Sequence, residues 1–437
     1  MSFLRVRRLA TAAAMLLGMP LHAARAQSPS ESLGAALHGP AERVFLVTVD
    51  PGTMVWERFG HSAIIIHDPA RGFQTAYNWG LFDFRTPGFL TRFILGRPRY
   101  LMGGENADEM LAFYQQTGRR MTIQEIDLTD AQILALERLL TWNARPDHAS
   151  YLYDYFRDNC STRVRDAFDQ VLDGRLRRAA QAQVTDITYR SESRRLLAPA
   201  PWAALGVTMV FGRPADRPLT EWEAMFIPMR LRDALRTLDV RASSGAPLVR
   251  QSWDVTTPGG LTTPDYRIAP DVLITIALSA LMLLVVLVAR QARAHDRHGL
   301  QRAALAIIAC WMLAVGVAGL IVAFGWLFTQ HVFVRNNENL LLVNPLALWL
   351  SGTLFWLIVS PSRRALTAAV RAGAVLSACA LVAVGLYVLP WTHQANGEII
   401  VLVAPTTLAT AALIASWRRA DAGTSIAEPE AVQQTAD

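Results

Sequence analysis

Apolar residues are spread unevenly along the 437-residue chain. A first block, residues 9–21, follows Arg5, Arg7 and Arg8 and ends at Ala24-Arg25-Ala26. A charged start, a short apolar core and a small-residue site predict a secretory signal peptide over 1–26, cut before Gln27. Five longer blocks close the chain, at 272–289, 303–328, 340–360, 372–389 and 399–416. Each approaches the roughly 17–25 residues that cross a bilayer as a helix. Arginines mark alternate connections: Arg290, Arg293, Arg297 and Arg302, then Arg363, Arg364 and Arg371, then Arg418 and Arg419. The two intervening loops carry Arg335 alone. The positive-inside rule therefore predicts residues 27–250 outside, a linker at 251–270, five spans over 271–418, and a disordered cytoplasmic tail at 419–437.

The outer region alternates strand and helix signals. Residues 42–49 and 61–67 read as strands, and 73–79 as the return of a hairpin across the Asp68–Gly72 turn. His61, Ala63, Ile65 and His67 share one face of their strand. The apolar and arginine mixture at 87–100 reads as an amphipathic helix packed on the domain, or as a segment touching headgroups. Thr129 and Gln132 form a capping box ahead of the stripe Ile133, Leu136, Leu139 and Leu140. Tyr151, Tyr153 and Tyr155 suggest an extended approach to a helix capped by Asn159 and stopped at Gly174. Cys160, Val164, Phe168 and Val171 or Leu172 then lie on its inward face. Residues 175–250 carry no legible chemistry.

The formal charge of +6 is largely that of the topological arginines and implies no nucleic-acid partner. Of the three cysteines, Cys310 and Cys379 fall within spans and read as packing residues. Cys160 lies outside, in an oxidising compartment, without a partner in its domain. That leaves an intermolecular bridge or a reactive thiol. A helix N-terminus favours the thiolate, as does a neighbouring imidazolium, and free amides there can serve as an oxyanion hole. Four histidines remain: His38 in a poorly structured start, His148 in a turn, His67 explained by solvent exposure at a strand end, and His61. His61 opens a core strand, as a satisfied core residue or as a catalytic base. No paired-cysteine or His-Glu-x-x-His spacing supports a metal, and no Gly-rich loop supports a cofactor.

FGHSAIII (59–66), YNWGLFDF (77–84) and YDYFRDNCSTRVRD (153–166) resemble the signature blocks of the Lnb-type periplasmic domain, over roughly residues 41–174. The order of histidine, polar hairpin and Asn-Cys also resembles circularly permuted papain-like, NlpC/P60-related enzymes. The resemblance implies an α+β periplasmic thiol-enzyme domain followed by an all-α bundle of five transmembrane helices, in a bacterial inner membrane. It implies lipoprotein N-acyltransfer: an acyl chain passes from a phospholipid donor to a thiolate, then to the N-terminal amine of an apolipoprotein acceptor. Carried over, Cys160 is the nucleophile, His61 the base and Asn78 the orienting group, with Asp83 as the alternative. Asp158 and Asn159 shape the turn. Arg163 and Arg165 face lipid phosphate or solvent, and the outer loop at 331–345 holds headgroups or is simply solvated. Two other classes remain at this stage: a periplasmic cysteine peptidase or amidase acting on peptidoglycan, and a non-catalytic membrane sensor in which Cys160 bridges to a partner.

Overall fold

The computed structural model describes residues 29–256, 269–389 and 394–424. The signal peptide, residues 257–268 of the linker and residues 425–437 of the tail lie outside these. Seven strands build the outer domain: β1 (Arg43–Val49), β2 (His61–Asp68), β3 (Phe73–Leu81), β4 (Arg99–Asn106), β5 (Met121–Ile126), β6 (Ser150–Leu152) and β7 (Val249–Val255). They form one antiparallel sheet in the order β6-β4-β3-β2-β1-β5-β7. β1 and β2 read as nearly continuous apolar runs because both faces are covered. Val44, Leu46, Ile64 and Ile66 pack toward the helices Asp130–Asn143 and Cys160–Val171. Phe45, Val47, Ala63 and Ile65 pack toward the helix Ala107–Gln116. The inward stripe of Cys160–Val171 is Val164, Phe168 and Val171. Burying Phe168 alone stabilises the fold by about 3 kcal/mol.

Several boundaries differ from expectation. The 87–100 segment is a six-residue helix, Phe89–Ile94, and then turns into β4. Residues 249–255 are strand β7, paired with β5, so the chain leaves the sheet after Val255 and not at Gln251. Trp253, buried against Phe45, anchors that strand. At the other end the last helix, Gly397–Thr424, runs several residues into the expected tail. His67 is buried, not solvent-exposed, and its Nε2 donates to the Gly39 carbonyl at 2.7 Å.

Among the described residues, four helices are long and apolar enough to cross a membrane: Pro270–Ala294, His298–Phe328, Arg363–Val388 and Gly397–Arg419. The third apolar block, expected as a span over 340–360, gives a helix of only 13 residues, Ala347–Val359. At 1.5 Å per residue that is about 20 Å, against a hydrocarbon core of about 30 Å. Asn344 and Pro345 explain the late start: the Asn344 side chain accepts from Leu346 N, forming a turn before the helix begins. One end of the short helix nevertheless reaches the level of Arg293, Arg302 and Trp417, with which Leu357 and Ile358 share a cleft.

The loop at 331–345 does not lie free in solvent. It docks the outer domain. Phe333 inserts among Phe156, Tyr189 and Phe226, with ring centroids 4.7 Å from Phe156 and 4.8 Å from Tyr189. The apolar helix Pro201–Val210 of the outer domain ends with carbonyls that have no partner within the helix. Asn337 and Asn339 supply one: their Nδ2 groups donate to Thr208, Met209 and Val210 at 2.8–3.0 Å. Arg194 completes the joint by pairing with Asp271 at 2.9 Å and Glu398 at 2.6 Å, at the starts of the first and last long helices.

Candidate active site

Three elements meet at one end of the sheet. Gly60, at φ +78°, turns the chain into β2, and an added Cβ there would lie 2.7 Å from the Val49 carbonyl. His61 is therefore delivered at the first position of the strand. β3 returns alongside, with Asn78 opposite Ala63 in register. Beyond it Gly80, whose φ of +92° favours glycine, interrupts the β3–β4 register and lies against Cys160, an added Cβ there falling in ordinary contact 3.8 Å from the Cys160 Cβ. The third element is the helix Cys160–Val171. Asn159 caps it, accepting from Ser161 N and Thr162 N at 2.9 Å each, while its own Nδ2 donates to Tyr155 O and Phe226 O. That doubly anchored cap fixes where the half-buried Cys160 points.

Asn78 Oδ1 accepts from His61 Nε2 at 2.7 Å, which leaves Nδ1 of the ring for the thiol. Burial opposes charge on both Cys160 and His61. Their mutual attraction and hydrogen bond outweigh it. The His61 imidazolium, together with the N–H groups of Ser62 and Ser161, holds the Cys160 thiol below its ordinary value. The thiolate and Asn78 in turn hold His61 above its ordinary value. Both shifts favour charge separation, toward a thiolate–imidazolium pair. One expectation needs correction: the Thr162 amide is taken by the Asn159 cap and the Ser161 amide is shared between that cap and the thiol, so neither is free for an oxyanion.

The domains of the chain have counterparts. Residues 37–196 match the Lnb N-terminal periplasmic domain, and residues 269–417 match the Lnb transmembrane domain. The chain belongs to the Lnb-type family. No curated protein and no solved structure matches it.

In this Lnb-type domain the remaining sequence candidates fall away from the pair. Asp83 is engaged by Arg85 at 3.0 Å on an exposed turn, and does not reach His61. Arg163 pairs with Asp158 and covers the Tyr151 ring. Arg165 is buried, 3.8 Å over the Trp222 ring, and donates to the Trp222 carbonyl. Arg165 is thus turned into the domain and faces neither lipid phosphate nor solvent as expected, while Arg163 stays about a third exposed in its ion pair. His148 stacks on Trp142.

Two features of the site had no signal in the sequence. Glu105, on β4, accepts from Asn78 Nδ2 at 2.8 Å and extends the row to Cys160, His61, Asn78 and Glu105. Burial raises its carboxyl above the usual range, partly offset by His61. β4 was not legible as a strand, so nothing brought Glu105 to Asn78. The second is the cleft of about 520 Å³ over Cys160. Its walls are largely aromatic, including Phe82, Phe84, Phe89 and Phe93, several of them exposed at the rim. That rim is tied to the membrane half: Gln330 N donates to Leu95 O at 2.9 Å and His331 Nε2 to Phe93 O at 3.1 Å. Burial pushes His331 below its ordinary value, and its Nδ1 accepts from Tyr155, another residue of the cleft wall.

Proposed function

We propose that this protein is a cysteine-dependent lipoprotein N-acyltransferase of the inner membrane, with a papain-like arrangement in permuted order. The observation that carries the reading is the position of the thiolate–imidazolium pair: in an aromatic cleft whose rim bonds directly to the residues after the long apolar helix His298–Phe328. An ester at the outer face of a bilayer has a short path to Cys160. The thiolate attacks the ester carbonyl of a phospholipid, the C–S bond forms, and the C–O bond breaks. The departing lysolipid alkoxide takes the proton from His61. Neutral His61 then removes a proton from the N-terminal amine of the lipid-modified acceptor, whose nitrogen attacks the thioester. The C–N bond forms, the C–S bond breaks, and the ion pair is restored. Aromatic walls that keep water away favour transfer over hydrolysis.

The test uses purified full-length protein in phospholipid vesicles without acceptor. Cys160 accumulates an acyl adduct, read by mass spectrometry and released by neutral hydroxylamine. A lipopeptide with a free N-terminal amine discharges it, and the same peptide with a blocked amine does not. An unmodified Cys160 with cleavage of peptidoglycan stem peptides would replace this reading by a peptidase. A Cys160 bridged to another chain on non-reducing electrophoresis would replace it by the sensor.

We further infer five crossings, with the C-terminus in the cytoplasm. Arg290–Arg302 and Arg363–Arg371 need two crossings between them, and Ala347–Val359 is the one α-helix besides His298–Phe328 in that interval. Its approach to the level of Arg293 and Trp417 supports this despite its length. A reporter fused after Asp437 behaves as cytoplasmic, and one fused near Pro264 is exported; an exported C-terminus leaves four crossings.

A further inference from the structure

One cation in the cleft has no part in the chemistry above. Arg119 lines the same cleft as Cys160, yet is only 6% exposed. Its Nε donates to the Asp50 carbonyl at 2.9 Å, and its guanidinium lies 5.2 Å from the centre of the Tyr114 ring. Its Nη2 is buried with no hydrogen-bond partner. The nearby carboxylates are turned elsewhere: Asp50 toward Arg232 at 3.5 Å, and Glu57 to the Met54 amide at 3.2 Å. A guanidinium carries five donors and keeps its charge even when buried, so an unmet donor beside a nucleophile calls for an anion. Tyr114 stands between Arg119 and the base, its ring 6.1 Å from that of His61.

We propose that Arg119 is the anion-recognition residue of this cleft, its free Nη2 receiving a phosphodiester oxygen of the lipid acyl donor. The inference rests on the acyltransferase reading and specifies what that site selects. Two observations favour a phosphodiester over a carboxylate. The surrounding walls are aromatic, which suits an anion carried on long apolar chains and gives nothing to a polar stem peptide. The cation is also set back from His61 by the Tyr114 ring, as the phosphate of a phospholipid is set back from its acyl esters by glycerol. Arg119 thus acts on donor selection; it touches no reacting atom, and its charge only slightly disfavours the His61 imidazolium.

The experiment measures acylation of Cys160 in the full-length protein from two donors with the same acyl chains, phosphatidylglycerol and uncharged diacylglycerol. The wild-type protein favours phosphatidylglycerol, and Arg119→Gln lowers that preference by about tenfold to a hundredfold, the worth of one charge-assisted hydrogen bond. Arg119→Lys gives an intermediate preference. Alkylation of Cys160 by neutral chloroacetamide checks that each variant retains its site. A measurement on the wild-type protein alone stands even if the variants misfold: soluble glycerophosphoglycerol slows acylation by competing for Arg119. Equal slowing of both donors in Arg119→Gln, no donor preference in the wild type, or no competition by glycerophosphoglycerol overturns the proposal. A muropeptide that competes in its place overturns it in favour of a carboxylate ligand. In each of those outcomes Cys160 is still acylated; failure of both donors to modify wild-type Cys160 instead brings down the acyltransferase reading itself.

Discussion

Replacing Cys160 by alanine abolishes acyl transfer, on the order of a millionfold in kcat, the scale on which a nucleophile acts in a covalent mechanism. The fold survives. The side chain is half-buried at a helix start, and the cap that fixes the helix belongs to Asn159. The loss in stability is about 1 kcal/mol, typical of a point substitution. His61→Ala costs about 10²–10⁴-fold, because the thiol loses both its base and the charge that holds it ionised. Cys310→Ala and Cys379→Ala are nearly silent: both lie in membrane helices, and Cys379 receives only a weak contact from Asn344 Nδ2 at 3.7 Å. Activity is read as N-acylation of a lipopeptide, and accumulation by blotting of membranes. Retained activity in Cys160→Ala ends the nucleophile hypothesis, whatever the fold.

The pieces of this site that were legible in the sequence share a property. Each belongs to a local pattern that physics makes redundant. Asn159 and Cys160 stand at a helix start marked by a cap, an inward stripe and a stop. His61 opens a strand whose apolar run and following turn define a hairpin. Asn78 comes back on that hairpin, and the register that brings it to His61 depends only on the Asp68–Gly72 turn. Glu105 and Arg119 lie on elements whose patterns are poor. β4 contains Gly103 and Gly104 and alternates weakly, and Arg119 follows a Gly118 turn between a helix and a strand. Their relation to the site is made by sheet order, which brings β4 beside β3, and by the Ala107–Gln116 helix between them in sequence.

The membrane half shows the same limit from the other side. Hydropathy located all five apolar blocks, since composition alone fixes where a chain prefers lipid. It did not reveal that residues 340–346 are a turn and a 3₁₀ segment, Glu338–Leu341, held by Asn337 and Asn339. Those asparagines are nearly fully buried because they satisfy carbonyls of a helix more than a hundred residues earlier. A capping partner so distant leaves no periodic trace. Its consequence is positional: the loop that looks like a solvated outer connection ties the cleft to the apolar helices.

The pH dependence of acyl transfer follows from the pair itself. Transfer needs the thiolate to attack and the imidazolium to protonate the leaving alkoxide, so kcat/KM is bell-shaped. The acid limb is Cys160, lowered from its ordinary value near 9.0, and the alkaline limb is His61, raised from its ordinary value near 6.5. Activity is lost below the first as the thiolate protonates, and above the second as the imidazolium loses its proton. Asn78→Ala removes the acceptor that helps raise His61, so the alkaline limb moves to lower pH. A less stable imidazolium also supports the thiolate less, so the acid limb moves to higher pH. The active window narrows from both sides, and the optimum falls about a hundredfold as the ring loses its fixed orientation. Glu105→Gln preserves an acceptor for Asn78 Nδ2 and removes only the charge that His61 feels. Its alkaline limb therefore moves in the same direction but less, with the optimum nearly kept, whereas Glu105→Ala behaves more like Asn78→Ala. Alkylation of Cys160 by iodoacetamide as a function of pH follows the acid limb without any lipid substrate. An Asn78→Ala profile with both limbs where the wild-type protein has them would show that Asn78 neither orients nor charges His61.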